Sequence, residues 1–208
     1  YIENDVEKKL IESFMPGPFT LILKKKDNIP NNVSGGMDTI GIRIPDNKIA
    51  NRILSYNNIA VAAPSANKSG KPSGTDIKSI YNEFLDSVDY LIDGGNTDIG
   101  IESTVVRVIK NIPVILRPGF VTKEDIMNKI GVVQVDDNIN KLVTGPVLSP
   151  GMKYTHYAPV SKCELIYGED KKKVIDYFTK QTNDNSVIIG SSLLKNIKCR
   201  KYLYYGDS

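Results

Sequence analysis

Two arginines and a set of short hydroxyl side chains are the residues of this chain best suited to chemistry, and the chemistry they suit is anion binding. Arg43 lies in TIGIRIP, where Ile40, Ile42 and Ile44 alternate with Thr39, Gly41 and Arg43. A period of two assigns the isoleucines to one strand face, read as core, and a hydroxyl, a bare backbone and a guanidinium to the other. The rival reading is a half-solvated sheet with ordinary polar residues outside. Arg117 closes an apolar run just before Pro118-Gly119, where a guanidinium can fork onto phosphate or carboxylate. A surface or salt-bridged arginine is the alternative.

The segment from Pro64 to Thr75, PSANKSGKPSGT, follows the small apolar run Ile59–Ala63 and precedes a helical pattern. Ser65, Asn67 and Ser73 supply hydroxyls and an amide, and such a loop can turn N–H groups toward phosphate. A solvated connection accounts for the same composition. In GIESTVV, Ser103 and Thr104 open a strand beside Glu102, and Gly94, Gly95 and Gly100 just upstream predict a close backbone approach. Strand-compatible hydroxyls beside a surface carboxylate are again the plainer alternative.

Other chemistries are disfavoured. No GxxxxGK[ST] and no GxGxxG after a strand occurs, and no serine sits in a GxSxG elbow. His156 is the only histidine and lies in a Pro/Gly-rich stretch, whereas a Ser-His-Asp site needs its base held rigidly against the nucleophile. Cys163 and Cys199 are far apart, without a CxxC pair, which disfavours a dedicated zinc or iron–sulfur site. Few cysteines, no signal peptide and no long apolar run predict a protein of the reducing cytoplasm with no membrane span. A net charge of +3 over 208 residues, with the charges interspersed, does not by itself imply nucleic acid.

The elements that must position these groups alternate between strand and helix, which predicts an α/β fold. Ile2, Val6, Leu10 and Phe14 place an apolar stripe on an opening helix, which MPGPF ends. Strands are expected at Phe19–Lys25, Thr39–Ile44, Ile59–Ala63, Tyr90–Ile92, Thr104–Ile109 and Val114–Arg117. Asp46 is expected to cap a helix bearing Ile49, Ile53 and Leu54, and Thr75 or Asp76 one bearing Ile77, Ile80 and Phe84. Thr122 and Asp125 form a capping-box pattern before Ile126 and Ile130. The short connection around Lys110 and Asn111 predicts a hairpin, hence a mixed sheet. GPVLSPGMKYTHYAP reads as a linker, assigned to 144–160 between a first domain (1–143) and the start of a second (161–208). There a strand (Cys163–Tyr167), a helix (Glu169–Lys180) and a strand (Ser186–Gly190) would make one βαβ unit.

FMPGPFTLIL, VSGGMDTIGIRIP, AAPSANKSGKPSGT, DGGNTDIGIESTVV and ILRPG, in this order and spacing, resemble the YrdC-like threonylcarbamoyl-AMP synthases, and SPGMKYTHYAP resembles the linker of their long two-domain form. The resemblance implies a twisted mixed sheet around a concave cavity, with a linker and the start of a small Rossmann-like α/β domain. It also implies a reaction: threonine, bicarbonate or CO2 and ATP give threonylcarbamoyl-AMP and pyrophosphate, and the adenylate goes to partner proteins that modify tRNA. Carried over by motif, Arg43 would grip the threonine carboxylate, with the Ala63 backbone and Ser103 completing that pocket. Thr39, Ser65, Asn67, Ser73 and Arg117 would hold ATP and its Mg²⁺, and His156, with Tyr154, would touch nucleotide from the linker. No residue is expected to act as a nucleophile, which suits a transfer driven by positioning and charge stabilisation.

The family's basic KxR motif, upstream of these segments, has no counterpart here. A chain opening at Tyr1 inside a helix and ending at Asp207-Ser208 is therefore expected to be a fragment. The alternatives carried with this reading are a module of the same fold that binds structured RNA (tRNA or another duplex) without catalysis, and a carbamoyl-handling relative.

Overall fold

The computed structural model of the chain describes residues 1–57, 59–68, 71–137 and 161–206. The chain divides into two compact units, Tyr1–Ala158 and Pro159–Ser208. In the first unit the helices are α1 (Asp5–Phe14), α2 (Asn31–Ser34), α3 (Lys48–Asn57), α4 (Ile77–Phe84) and α5 (Lys123–Ile130). Its strands are β1 (Phe19–Lys24), β2 (Thr39–Ile42), β3 (Thr104–Ile109), β4 (Ile112–Arg117) and β5 (Gln134–Val135).

The strands form one sheet in the order β2-β1-β3-β4-β5. β1 pairs antiparallel with β2 and parallel with β3, β3 antiparallel with β4, and β4 parallel with β5. The mixed α/β sheet is the one expected, and so is its hairpin. Lys110 and Asn111 both take positive φ (50° and 63°), the turn that matches the right-handed twist of the two strands it joins. The starts of β1 and β3 and the ends of β2 and β4 therefore lie at one end of the sheet.

Strand alternation divides the core. Phe19, Leu21, Leu23, Val106 and Ile115 pack with Leu10 of α1 and Ile126 of α5, together with Val121 and Val133. Ile22, Val105, Val114 and Leu116 form a separate buried cluster. α1 is capped by Asn4, whose Oδ1 accepts from the Glu7 N–H. α5 carries the expected capping box between Thr122 and Asp125. α4 is capped by Asp76, which accepts from the Ser79 N–H.

Several expectations fail, the strand assignments because a non-local partner decides. Ile59–Ala63 and Tyr90–Ile92 form no strand; Tyr90 is 90% exposed and Ile59 55%. A strand exists only where a neighbour accepts its backbone bonds, and no described strand pairs with either segment. The isoleucines of β2 and just beyond it are not core: Ile42 and Ile44 are 40% and 43% exposed, while Thr39 is buried. Their face shares register with Leu21 and Leu23, but β2 is an outer strand, and the packed helices α1 and α5 cover β1, β3 and β4. The cap of α3 is Asn47, not Asp46: its Oδ1 accepts from the N–H groups of Ile49 and Ala50.

In the second unit, α6 (Lys171–Gln181) precedes two parallel strands, β6 (Val187–Gly190) and β7 (Lys201–Tyr204). Ile188 and Leu194 are its buried apolar side chains. The expected strand Cys163–Tyr167 is absent, with Leu165 86% exposed. β7, not that segment, supplies the ladder for β6. The linker 144–160 lies wholly outside the described residues.

Candidate active site

The sheet end where β1 and β3 begin collects three of the polar groups singled out by sequence, Arg43, Ser103 and Arg117. Arg117, at the end of β4, is partly buried. Its Nε donates to the Ser103 carbonyl at 3.2 Å, and its Nη2 lies 2.8 Å from that carbonyl and 3.1 Å from the Ser103 hydroxyl. The Ser103 hydroxyl is also 2.8 Å from that of Thr20. On the neighbouring side, the Arg43 Nε donates to the Gly17 carbonyl at 3.0 Å, and the Gly17 N–H returns to the Ile44 carbonyl at 2.9 Å. The next carbonyl, Pro18, accepts from the Thr104 N–H at 3.0 Å. Residues 17–20 thus tie Arg43 to Ser103, with Arg117 on the far side.

A register irregularity aims Arg117. Val106 faces Ile115, but Val105 faces Arg117, so Leu116 is an extra residue in β4. Without that bulge, alternation would put Arg117 on the side of Ile115, inside the helix-covered core. With it, the guanidinium shares the face of Val105, Ser103 and Thr20. Gly119 then lets the chain close down. A Cβ there would stand 2.5 Å from the Thr104 nitrogen and 2.6 Å from the Ser103 carbonyl carbon, and against the Glu102 carbonyl oxygen. The close backbone approach predicted upstream is therefore at Gly119. Gly94 and Gly100 have only ordinary contacts, at 3.9 and 3.8 Å, and Gly95 is needed for its φ of +81°.

Electrostatically, this end is a cluster of donors. Desolvation lowers the Arg43 pKa from its ordinary value, yet a guanidinium stays protonated at any physiological pH. Thr104 does not contribute: it is fully buried, and its hydroxyl donates to the Val121 carbonyl at 2.6 Å.

The remaining residues lie elsewhere. Thr39 opposes Lys24 at the other end of β2. It stands four residues, about 13 Å along an extended strand, from Arg43. Ala63 and Ser65 are exposed. The Ser73 hydroxyl donates to Asn67 Oδ1 at 3.0 Å, and the Asn67 N–H returns to the Ser65 carbonyl at 3.0 Å. Ser73 also lines a shallow cavity of about 310 Å³ with Lys71, Thr75, Ser79 and Glu83. The Thr97 hydroxyl and N–H, both bonded to the Thr75 carbonyl, fasten segment 94–100 to this loop. No metal-ligand cluster of acidic, histidine or cysteine side chains occurs among the described residues. His156 and Tyr154 lie outside the described residues.

Thr20 and Gly17 were missed by sequence reasoning. The signal was weak but present, since Thr20 interrupts an otherwise apolar strand, FTLIL, on the phase of Ile22 rather than that of Phe19, Leu21 and Leu23. Donors arranged in this way can hold a carboxylate or phosphate, and no described side chain is set up as a nucleophile.

Residues 1–119 match the Sua5/YciO/YrdC family model, described as "Telomere recombination". Residues 121–201 match the model described as "Threonylcarbamoyl-AMP synthase, C-terminal domain". A threonylcarbamoyl-AMP synthase of Bacillus subtilis is 42% identical over 166 residues, 79% of this chain and 48% of that protein. One of Pyrococcus abyssi is 39% identical over 204 residues, 96% of this chain and 59% of that protein. The crystal structure of P. abyssi Sua5 complexed with L-threonine superposes with a TM-score of 0.85 at 33% identity, covering 100% of this chain and 62% of that one. A P. abyssi Sua5 variant with a histidine and the following tyrosine changed to alanine gives 0.80 at 30% identity. The chain thus spans 48% and 59% of the length of these two curated relatives.

Proposed function

The chain belongs to the Sua5/YciO/YrdC family, and from that membership we propose that the protein joins L-threonine, bicarbonate and ATP into threonylcarbamoyl-AMP for tRNA modification. The observation that carries this reading is the convergence of Arg43, Ser103 and Arg117 at one sheet end, in a chain whose relatives bear that enzyme name. Arg43 and Ser103 hold the amino acid at that end, beside the Ala63 backbone. Thr39, Ser65, Asn67, Ser73 and Arg117 take the nucleotide with its Mg²⁺. A ligand touching both Arg43 and Thr39 must run about 13 Å along β2, a span that an adenylate can cover. His156 is assigned to the nucleotide by motif alone.

The threonine amine takes up CO2 or bicarbonate to form a carbamate. A carbamate oxygen then attacks the α-phosphorus of ATP, the bond to the β-phosphate oxygen breaks, and pyrophosphate leaves. What this chain contributes is orientation and cationic stabilisation of charge at the transferring phosphorus. The product, a labile mixed anhydride formed in the cytoplasm, passes to proteins that transfer it to tRNA.

The test is to incubate the protein, expressed from its complete reading frame, with ATP, bicarbonate, Mg²⁺ and L-threonine. Pyrophosphate release and the adenylate mass should both require threonine. Threonine-independent turnover, or none, removes this reading; salt-sensitive RNA binding without turnover would favour a non-catalytic module.

A further inference from the structure

Thr20 is the one polar side chain of the cluster to which neither the sequence motifs nor the proposed reaction gives a part, and its surroundings define one. Its two Cβ substituents are both engaged. The methyl lies where β2 has no side chain: a Cβ on Gly41 would come within 3.3 Å of Thr20 Cγ2. The hydroxyl is 2.8 Å from that of Ser103. A β-branched side chain in a strand has few χ1 choices, and these two neighbours select one.

Counting protons gives the consequence. Two hydroxyls have two protons between them, and their mutual hydrogen bond uses one. Arg117 Nη2 has no acceptor capacity, so it donates to the Ser103 hydroxyl and excludes that oxygen's proton from its own direction. If Thr20 donates to Ser103, both Ser103 lone pairs are filled and the serine proton must be given outward. If Ser103 donates to Thr20, the threonine proton is the one left. In either arrangement the pair presents a single O–H donor, at the sheet end where Arg43 and Arg117 also converge.

We propose that Thr20 is a specificity residue for the amino-acid substrate, its hydroxyl pairing with that of Ser103 so that the pair keeps one O–H to donate to the substrate carboxylate. The inference rests on the threonylcarbamoyl-AMP synthase reading. A carboxylate is acceptor-only, with about four lone-pair sites, and this end of the sheet offers donors. An uncharged amide in its place puts an NH₂ against donors and loses the match.

Thr20→Val keeps the branched shape against Gly41 and removes the hydroxyl; Thr20→Ser keeps the hydroxyl and removes the methyl. Steady-state adenylate formation should show the L-threonine KM of Thr20→Val raised about 10- to 100-fold. The ATP KM should stay within about twofold, a change too small to count as a lost bond, and Thr20→Ser should lie near wild type. Preference for L-threonine over L-threoninamide should narrow in Thr20→Val. An unchanged threonine KM, a Thr20→Ser defect as large as that of Thr20→Val, or an unchanged threonine/threoninamide ratio would each overturn the proposal. Should Thr20→Val fail to fold, Thr20→Cys, a weak donor of similar size, takes its place with the same expected and overturning results. If the wild-type protein makes no adenylate, the enzyme reading fails by itself, and calorimetric L-threonine binding to the same variants decides the Thr20 inference separately.

Discussion

Arg117 holds two polar groups of Ser103, its Nη2 lying 2.8 Å from the serine carbonyl and 3.1 Å from the hydroxyl. One guanidinium therefore fixes the residue that opens β3, and its role cannot be purely that of a nucleotide ligand. Arg117→Ala should lower stability by about 2 kcal/mol, the scale of hydrogen bonds from a charged group. It should also raise the KM for threonine as well as for ATP. Arg117→Lys should recover little, since an ammonium lacks the planar fork. Arg43→Ala, by contrast, should raise the threonine KM well above any effect on ATP. Denaturant midpoints and paired KM values check all three.

Gly119 packs against the main chain of residues 102–104, where a Cβ has no room. Backbone cannot swing aside as a flexible side chain can, so Gly119→Ala should cost about 1–3 kcal/mol. The displacement should reach Ser103 and weaken threonine binding. A denaturation curve superposing on wild type would mean that the Pro118-Gly119 turn does not close on β3.

The α5 capping box predicts a pH dependence. Hydrogen bonds from the Thr122 backbone and side chain hold the Asp125 carboxyl below its ordinary pKa. A depressed folded-state pKa gives stability that is complete above the unfolded value and lost as pH falls through the folded one. Thermal midpoints measured downward from about pH 6 to about pH 2 should therefore fall less in Asp125→Asn than in wild type. Thr122→Ala should cost about 1 kcal/mol at neutral pH.

His156 is the single histidine of these 208 residues, and the NMR signal of its assigned imidazole would report the linker. Addition of ATP and Mg²⁺ should shift that resonance, and His156→Ala should raise the ATP KM. A resonance indifferent to nucleotide would remove His156 from the ATP set.

Sequence alone was sufficient at most places where the determinant lies within a few residues, the α3 cap at Asn47 excepted. The β3–β4 hairpin was legible because two residues must accept positive φ at Lys110 and Asn111. The α5 capping box was legible because Thr122 and Asp125 are three residues apart. The order of short motifs carried the family resemblance and named Arg43, Ser103 and Arg117. Tertiary structure decided what depends on distant partners. Ile59–Ala63 has strand composition but no described partner for its backbone, and the isoleucines of β2 alternate correctly yet lie on an outer strand, beside the core that α1 and α5 cover. The sheet also decided how Arg117 can act. A single extra residue at Leu116 moves its guanidinium off the core side and toward Ser103, and Ser103 meets Thr20 across 83 positions of sequence. Local rules set dihedrals and caps because their partners are always within reach. Which face an arginine occupies, and which hydroxyl is left to donate, depends on strand register, and register exists only once the sheet has formed.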